Sequence, residues 1–243
     1  SIESSPKLLS LALLNKNKII KVKSFNLENQ LDDKDNMFIY LKSFIKNTQL
    51  NLNDIKSLYV GCGPGSFTNI RKILSFAIGL KVSILSCNKN KNIFVAGINS
   101  LSAIAYQFFL KTNYTKTKFF LPTIDTKCGD YYMQLFSKQL NDFKSIKPLS
   151  PIVCITPKKV EQFLKEYTNE NSHVTILGLE NSNLNKLKFD FKNYDIPSAY
   201  LIANMGLDIE KQEKENKKLL IDKSLYNLNL IPIYAKNPNI HKK

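Results

Sequence analysis

The chain has 243 residues, 43% of them apolar and 23% charged, and a formal net charge of +15. That length supports one large domain or two small ones, and the balance excludes collagen-like, coiled-coil and extended disordered chains. The charge admits a polyanionic partner such as RNA, but it is carried by lysine along the whole chain, and the single arginine, Arg71, leaves little for bidentate base readout.

In chain order, Ser1 to Ser4 reads as the stump of a strand. Leu8 to Leu14 and Lys18 to Phe25 are strand-like runs joined by Asn15-Lys16-Asn17, which predicts a β-hairpin. Asp32 to Asp35 offers acidic residues for a helix start, and Met37, Leu41, Phe44 and Ile45 follow at helical spacing with Phe38 on another face. Asn51 to Asn53 ends that helix, and Ile55 to Val60 makes the next strand. A glycine-rich turn then leads into a helix from about Ser66 to Leu85, with the Ser66 hydroxyl as its N-cap. This helix carries two apolar stripes: Ile70, Leu74, Ala77 and Ile78, and then Ile73, Phe76 and Leu80. One stripe suffices to pack on a sheet. The second calls for a neighbouring helix or another protein.

Cys87 to Asn92 is a polar loop, Ile93 to Gly97 a strand and Ser100 to Leu110 a helix. The apolar stretch Phe94 to Leu110 is broken by Asn99, Ser100, Ser102 and Gln107, so it is not a membrane span. Asn113 to Lys118 reads as a domain boundary. Strands follow at Phe119 to Asp125 and Tyr131 to Phe136, a helix at Lys158 to Tyr167, a strand at Val174 to Leu177 and a long helix at Ser198 to Lys217. Asn181 to Lys188 is polar and receives no element, and Leu228 to Tyr234 is an edge strand or an extended arm. A hairpin followed by strands alternating with helices, occurring about twice, predicts mixed α/β sheets. No signal peptide is legible, and the start at Ser1 rather than methionine leaves room for missing residues or a targeting segment. The four cysteines, Cys62, Cys87, Cys128 and Cys154, lie far apart without a CxxC pair, which argues against structural zinc and for a reduced, intracellular chain.

The motif with most chemical content is Gly61-Cys62-Gly63-Pro64-Gly65-Ser66-Phe67-Thr68-Asn69-Ile70-Arg71. Glycines between a strand and a helix let backbone amides approach an anion. The Gly-Lys-Ser/Thr ending of a P-loop and the glycine spacing of a dinucleotide fingerprint are both missing. By spacing alone, an anion site and a plain tight strand–helix connection stand level. For Arg71 the alternatives are an intramolecular pair with an acidic residue, or a contact to a partner or shared ligand.

The whole motif closely resembles the Gly-x-Gly-Pro-Gly-Ser-Phe-Thr-Gly-Ile/Leu-Arg signature of the TsaB (YeaZ) family. Glu3-Ser4-Ser5 is similar to the acidic-Thr/Ser-Ser at the end of that family's first strand, and Gly97-Ile98-Asn99-Ser100-Leu101 to its Gly-Val-Ser-Ser-Leu segment. Asp125-Thr126-Lys127-Cys128-Gly129-Asp130-Tyr131-Tyr132 resembles its Asp-Ala-Arg-Arg-Gly-Glu-Val-Tyr motif, and Ile231 to Tyr234 its terminal Pro-x-Tyr. The resemblance is weak between Pro148 and Leu228. Asn69 departs by replacing a glycine, Cys62 by replacing a small apolar residue, and Lys127 and Cys128 by replacing a basic pair.

The resemblance implies an actin/Hsp70-like two-lobed α/β fold with a ribonuclease H-like motif in each lobe. The N-terminal lobe would be 1–112 and the C-terminal lobe 113–227, with a tail 228–243 packing back on the first. It implies a cytoplasmic, non-catalytic subunit that forms a heterodimer with TsaD, the transferase that makes threonylcarbamoyladenosine beside the anticodon of tRNAs reading ANN codons. A TsaE-like ATPase would join the complex and tRNA would be met only through it; for the chain alone, a homodimer and a monomer both stay open. Partner-facing residues would be Met37, Leu41, Phe44, Asn69, Ile73, Phe76 and Leu80 on the first two helices, against the alternative that these stripes are core. Glu3 and Asp125 would be vestigial cleft acids. No cofactor of its own is expected, and a nucleotide would sit at most at the interface with TsaD.

Family members are often labelled M22 peptidases, yet no Ser-His-Asp or Cys-His arrangement is evident here. The only histidines, His173 and His241, lie in unrelated polar settings and cannot build an HxxxH or HExxH metal site. The alternative from another class is a stand-alone nucleotide-binding ATPase or kinase of the same superfold, needing Glu3 or Asp125. A further one is a generic basic RNA-binding protein.

Overall fold

The computed structural model describes residues 1–4, 8–15, 18–27, 36–48, 51–87, 92–111, 119–139, 145–169, 172–179, 182–194, 197–215 and 221–235. The expected helix start at Asp32 to Asp35, the boundary at Asn113 to Lys118, Ser5 and His241 lie outside them.

The first sheet has six strands. β1 (Ile2–Ser4) lies between β2 (Leu8–Asn15), antiparallel, and β4 (Ser57–Gly61), parallel. β3 (Lys18–Asn26) completes the hairpin with β2 on one edge. β5 (Phe94–Ile98) runs parallel to β4, and the two-residue β13 (Tyr226–Asn227) closes the other edge. β2 is apolar on both faces because both are covered. β3 is largely exposed, and its Lys18, Lys21 and Lys23 are the charges that keep an open edge from pairing with other chains.

One face of this sheet carries α1 (Asn36–Lys46) and α2 (Phe67–Cys87). Met37, Leu41 and Phe44 of α1 and Ile70, Ile73, Leu74, Ala77 and Ile84 of α2 pack with Leu9, Leu11, Val60 and Val95. The other face carries α3 (Ser100–Lys111) and α5 (Ala199–Glu215). α3 is mostly apolar and is buried throughout Ser100 to Phe109, its polar Ser100, Ser102 and Gln107 included. Its N-terminus is capped by Asn99, whose Oδ1 accepts from the Leu101 N–H at 2.9 Å.

The second sheet is centred on β6 (Phe119–Asp125) and β11 (Val174–Gly178), which are parallel, with β12 (Asp190–Asn193) parallel on the outside. β7 (Tyr131–Met133), β8 (Phe136–Gln139), β9 (Ser145–Pro148) and β10 (Val153–Ile155) add antiparallel pairs, and α4 (Val160–Tyr167) packs on the sheet through Val160, Phe163 and Leu164. β9, β10, β12 and β13 are two to four residues long. Strands that short leave no periodicity to read.

One apolar cluster spans both sheets, joining Tyr59, Ala96 and Ile98 to Phe120, Phe136 and Leu177 through α3 and α5. A buried hydrogen bond of 2.9 Å from Asn99 Nδ2 to Gln134 Oε1 bridges the same junction. The first sheet takes β1 to β5 from residues up to 98 and the second takes β6 to β12 from residues 119–193, while α5 and β13, later in the chain, pack on the first.

Candidate functional site

The glycine-rich turn is a junction of three chain segments: the turn itself, the stretch from Ile98 to Ser100, and the tail at Ile233. The Cys62 N–H donates to the Ile98 carbonyl at 2.8 Å, the Ser100 N–H to the Gly63 carbonyl at 2.8 Å, and the Ile233 N–H from the tail to the Cys62 carbonyl at 2.8 Å. The Gly63–Pro64 peptide is cis, and Gly63 has φ +97°, a conformation that disfavours any side chain. A β-carbon there would stand 2.7 Å from Ile70 Cδ1 and 2.9 Å from the Ile233 carbonyl. Ser66 stands at the helix start, its Oγ accepting from the Asn69 N–H at 3.5 Å. Gly65, Ser66, Phe67 and Asn69 are half-buried and Thr68 is exposed. The carbonyls of Cys62 and Gly63 are thus used inside the chain, as a tight connection requires.

Beneath this turn lies Glu3, 3% exposed. Ser100 Oγ stands 3.1 Å from both of its carboxylate oxygens. A β-carbon on Gly61 would fall 1.4 Å from Glu3 Oε2, so the glycine makes room for the carboxylate. Burial pushes the Glu3 carboxyl up to about 7, against the Ser100 hydrogen bond. Burial, reinforced by Glu3, also pushes the Cys62 thiol up to about 12, so Cys62 behaves as a small apolar residue. Asp125 has a different environment at the end of β6. It accepts from the Lys127 N–H at 2.7 Å and pairs with Lys127 Nζ at 3.0 Å, which holds Lys127 at φ +66° in the turn to β7. Each acid is occupied by its own lobe.

Among the described residues Arg71 pairs with aromatic rings rather than with an acid. Its Cζ stands 3.8 Å over the centre of the Phe67 ring, and its Nε donates to the Tyr234 hydroxyl at 3.0 Å. The Phe67 and Tyr234 rings are 4.7 Å apart. The tail thereby closes over the start of α2, with Leu230 and Ile233 in the first lobe's core.

On the two helices, Met37, Leu41, Phe44 and Ile73 are buried in this chain's own core, Ile73 completely. Asn69, Phe76 and Leu80 are half-buried. The two stripes read from the sequence are both core-side, with one exception. Ile78 is 47% exposed, and Val82, one turn on, is 56% exposed. Phe38 and Ile39 of α1 are also exposed, and the Phe38 ring lies 6.3 Å from that of Phe76. Sequence reasoning missed Ile39 and Val82 and grouped Ile78 in one stripe with Ile70, Leu74 and Ala77, which are buried where Ile78 is not. The signal was available: Arg71, Ser75, Ile78 and Val82 recur at spacings of four, three and four, one helix face.

Among the described residues no cluster of three or more His, Cys, Asp or Glu could hold a metal ion, and His173 is exposed. No helix of the described residues is long and apolar enough to cross a membrane.

A family model for TsaD, tRNA N6-adenosine threonylcarbamoyltransferase, matches residues 34–213. Among solved structures, an uncharacterized protein with similarity to peptidase YEAZ from Pseudomonas aeruginosa superposes with a TM-score of 0.65 at 13% identity, covering 97% of both chains. YeaZ from Pseudomonas aeruginosa does so with a TM-score of 0.64 at 12% identity, covering 96% of this chain and 97% of the other. At those identities the likeness is one of fold, and the two mixed sheets flanked by helices are the actin-like arrangement that these neighbours share. No curated protein matches.

Proposed function

The chain belongs to the tRNA N6-adenosine threonylcarbamoyltransferase (TsaD) family, and from that premise we propose that it is a YeaZ-like partner subunit of the machinery that makes threonylcarbamoyladenosine in tRNA, not the transferase itself. The observation that carries this reading is the exposed apolar face of α1 and α2, with Phe38, Ile39, Ile78 and Val82 in water on helices whose opposite sides already pack on the sheet. Apolar side chains gathered on neighbouring helices favour burial against another chain. The occupant is a cytoplasmic TsaD-like transferase subunit, with a TsaE-like ATPase joining the assembly and tRNA reached through it. In the absence of that subunit, the same face pairs with a second copy of this chain.

The acids support the non-catalytic part of the reading. A magnesium site uses one or two ionised carboxylates that can face the ion and its waters. Glu3 is buried beneath the turn with Ser100 Oγ on both of its carboxylate oxygens, and burial raises the cost of its charge, while Asp125 is tied to Lys127. The chain therefore takes no cofactor of its own, and a nucleotide binds only where the transferase subunit contributes to the site.

The test is calorimetric titration of the purified chain with the TsaD-like subunit of its own organism, together with ATP turnover by the chain alone. Expected are one-to-one binding and no turnover. Absence of binding by a folded sample at low and moderate salt, or ATP hydrolysis that depends on Glu3 or Asp125, overturns the proposal.

A further inference from the structure

We propose that Arg71 is a preorganised receptor for one carboxylate, supplied by an acidic side chain of the partner subunit. The proposal rests on the partner-subunit reading above and deepens it by naming the polar contact at one end of the interface.

The guanidinium is already held. Phe67 supports its plane at 3.8 Å and the Tyr234 hydroxyl fixes Nε at 3.0 Å, yet the residue remains exposed. Among the described residues its remaining N–H donors meet no carboxylate. A side chain ordered in this way has spent its rotamer entropy at folding and loses little more on binding. Its fork matches the two oxygens of a carboxylate in a way the ammonium of lysine cannot. That accounts for an arginine here in a chain that uses lysine everywhere else.

Position supplies the second line. Arg71, Ser75, Ile78 and Val82 are all exposed and share one face of α2. At 1.5 Å per residue, Arg71 lies about 10 Å along the axis from Ile78. A surface for RNA would place several cations on that face and few isoleucines. This face instead joins one arginine to an apolar stripe, the composition of a protein interface, where arginine is enriched and lysine depleted. The net charge of +15 in turn selects an acidic partner surface.

The experiment measures affinity for the TsaD-like subunit of the same organism with the full chain and its R71K, R71Q, Y234F and I78D variants. Melting curves are recorded for each, and unmodified tRNA serves as a second titrant. R71K and R71Q are expected to weaken subunit binding about 10- to 100-fold, mainly through a faster off-rate. Y234F, which keeps Arg71 and removes only its anchor, is expected to weaken it about threefold. Wild-type affinity in R71K, or in Y234F together with R71Q, overturns the proposal while leaving the partner reading intact, provided that I78D abolishes binding. Loss of tRNA affinity in R71K with subunit affinity unchanged overturns it in favour of a phosphate ligand. A wild-type chain that does not bind the subunit overturns both readings.

Discussion

Ionising Glu3 places a charge where water does not reach. Its carboxyl titrates near 7 in the folded protein against an ordinary value of 4.5. Between those values the folded chain holds a proton that the unfolded chain has lost, so stability falls as pH rises through that window, by roughly 3 kcal/mol in all. Glu3→Gln removes this dependence. Melting curves from pH 5 to 7.5 should show the variant gaining on the wild type by on the order of 5–10 °C, and parallel curves would refute the assignment. The sequence marked Glu3 and Arg71 as special through their motifs. It could not show that Gly61 exists to seat the Glu3 carboxylate, or that the partner of Arg71 is Tyr234, 163 residues away. Both facts depend on which strands lie side by side.

The helices α1 and α2 divide their apolar residues between two tasks, and substitution separates them. Ile73→Asp buries an unpaired carboxylate in the first lobe's core and should cost more than about 4 kcal/mol, seen as loss of the folded state in thermal melts. Ile78→Asp lies in water and should change stability by less than about 0.5 kcal/mol while preventing association with the transferase subunit, as read by size-exclusion chromatography. Equal effects of the two changes on stability would sink this division. Elements longer than about seven residues were legible from their periodicity, as β2, β3, α2, α3 and α5 illustrate. The facing of α2 was not. With Ile70, Ile73, Leu74, Ala77 and Ile84 all inward, its buried arc is wide, and position alone does not reveal where such an arc stops.

At the scale of the molecule, the first lobe is assembled from both ends of the chain. α5 covers one face of its sheet, β13 completes an edge, and the tail seals the glycine-rich turn. Residues 1–112 expressed alone should therefore fail to fold cooperatively, whereas the full chain should melt in one transition. Circular dichroism of the two samples checks this, and an independently folded fragment would contradict the packing described. Two α/β units were visible in the order of strands and helices. The return of α5 to the first sheet was not, because its apolar pattern fits either sheet equally well.

The seal formed by the tail also bears on biosynthesis. Until Ile233 and Tyr234 have left the ribosome, Cys62 lacks the amide that binds its carbonyl and Arg71 lacks its hydroxyl partner. A nascent chain likewise exposes the sheet face that α5 covers until residues 199–215 have emerged. The guanidinium becomes fixed only once Tyr234 has folded back over α2, so closure of the tail and readiness of Arg71 for docking are a single event.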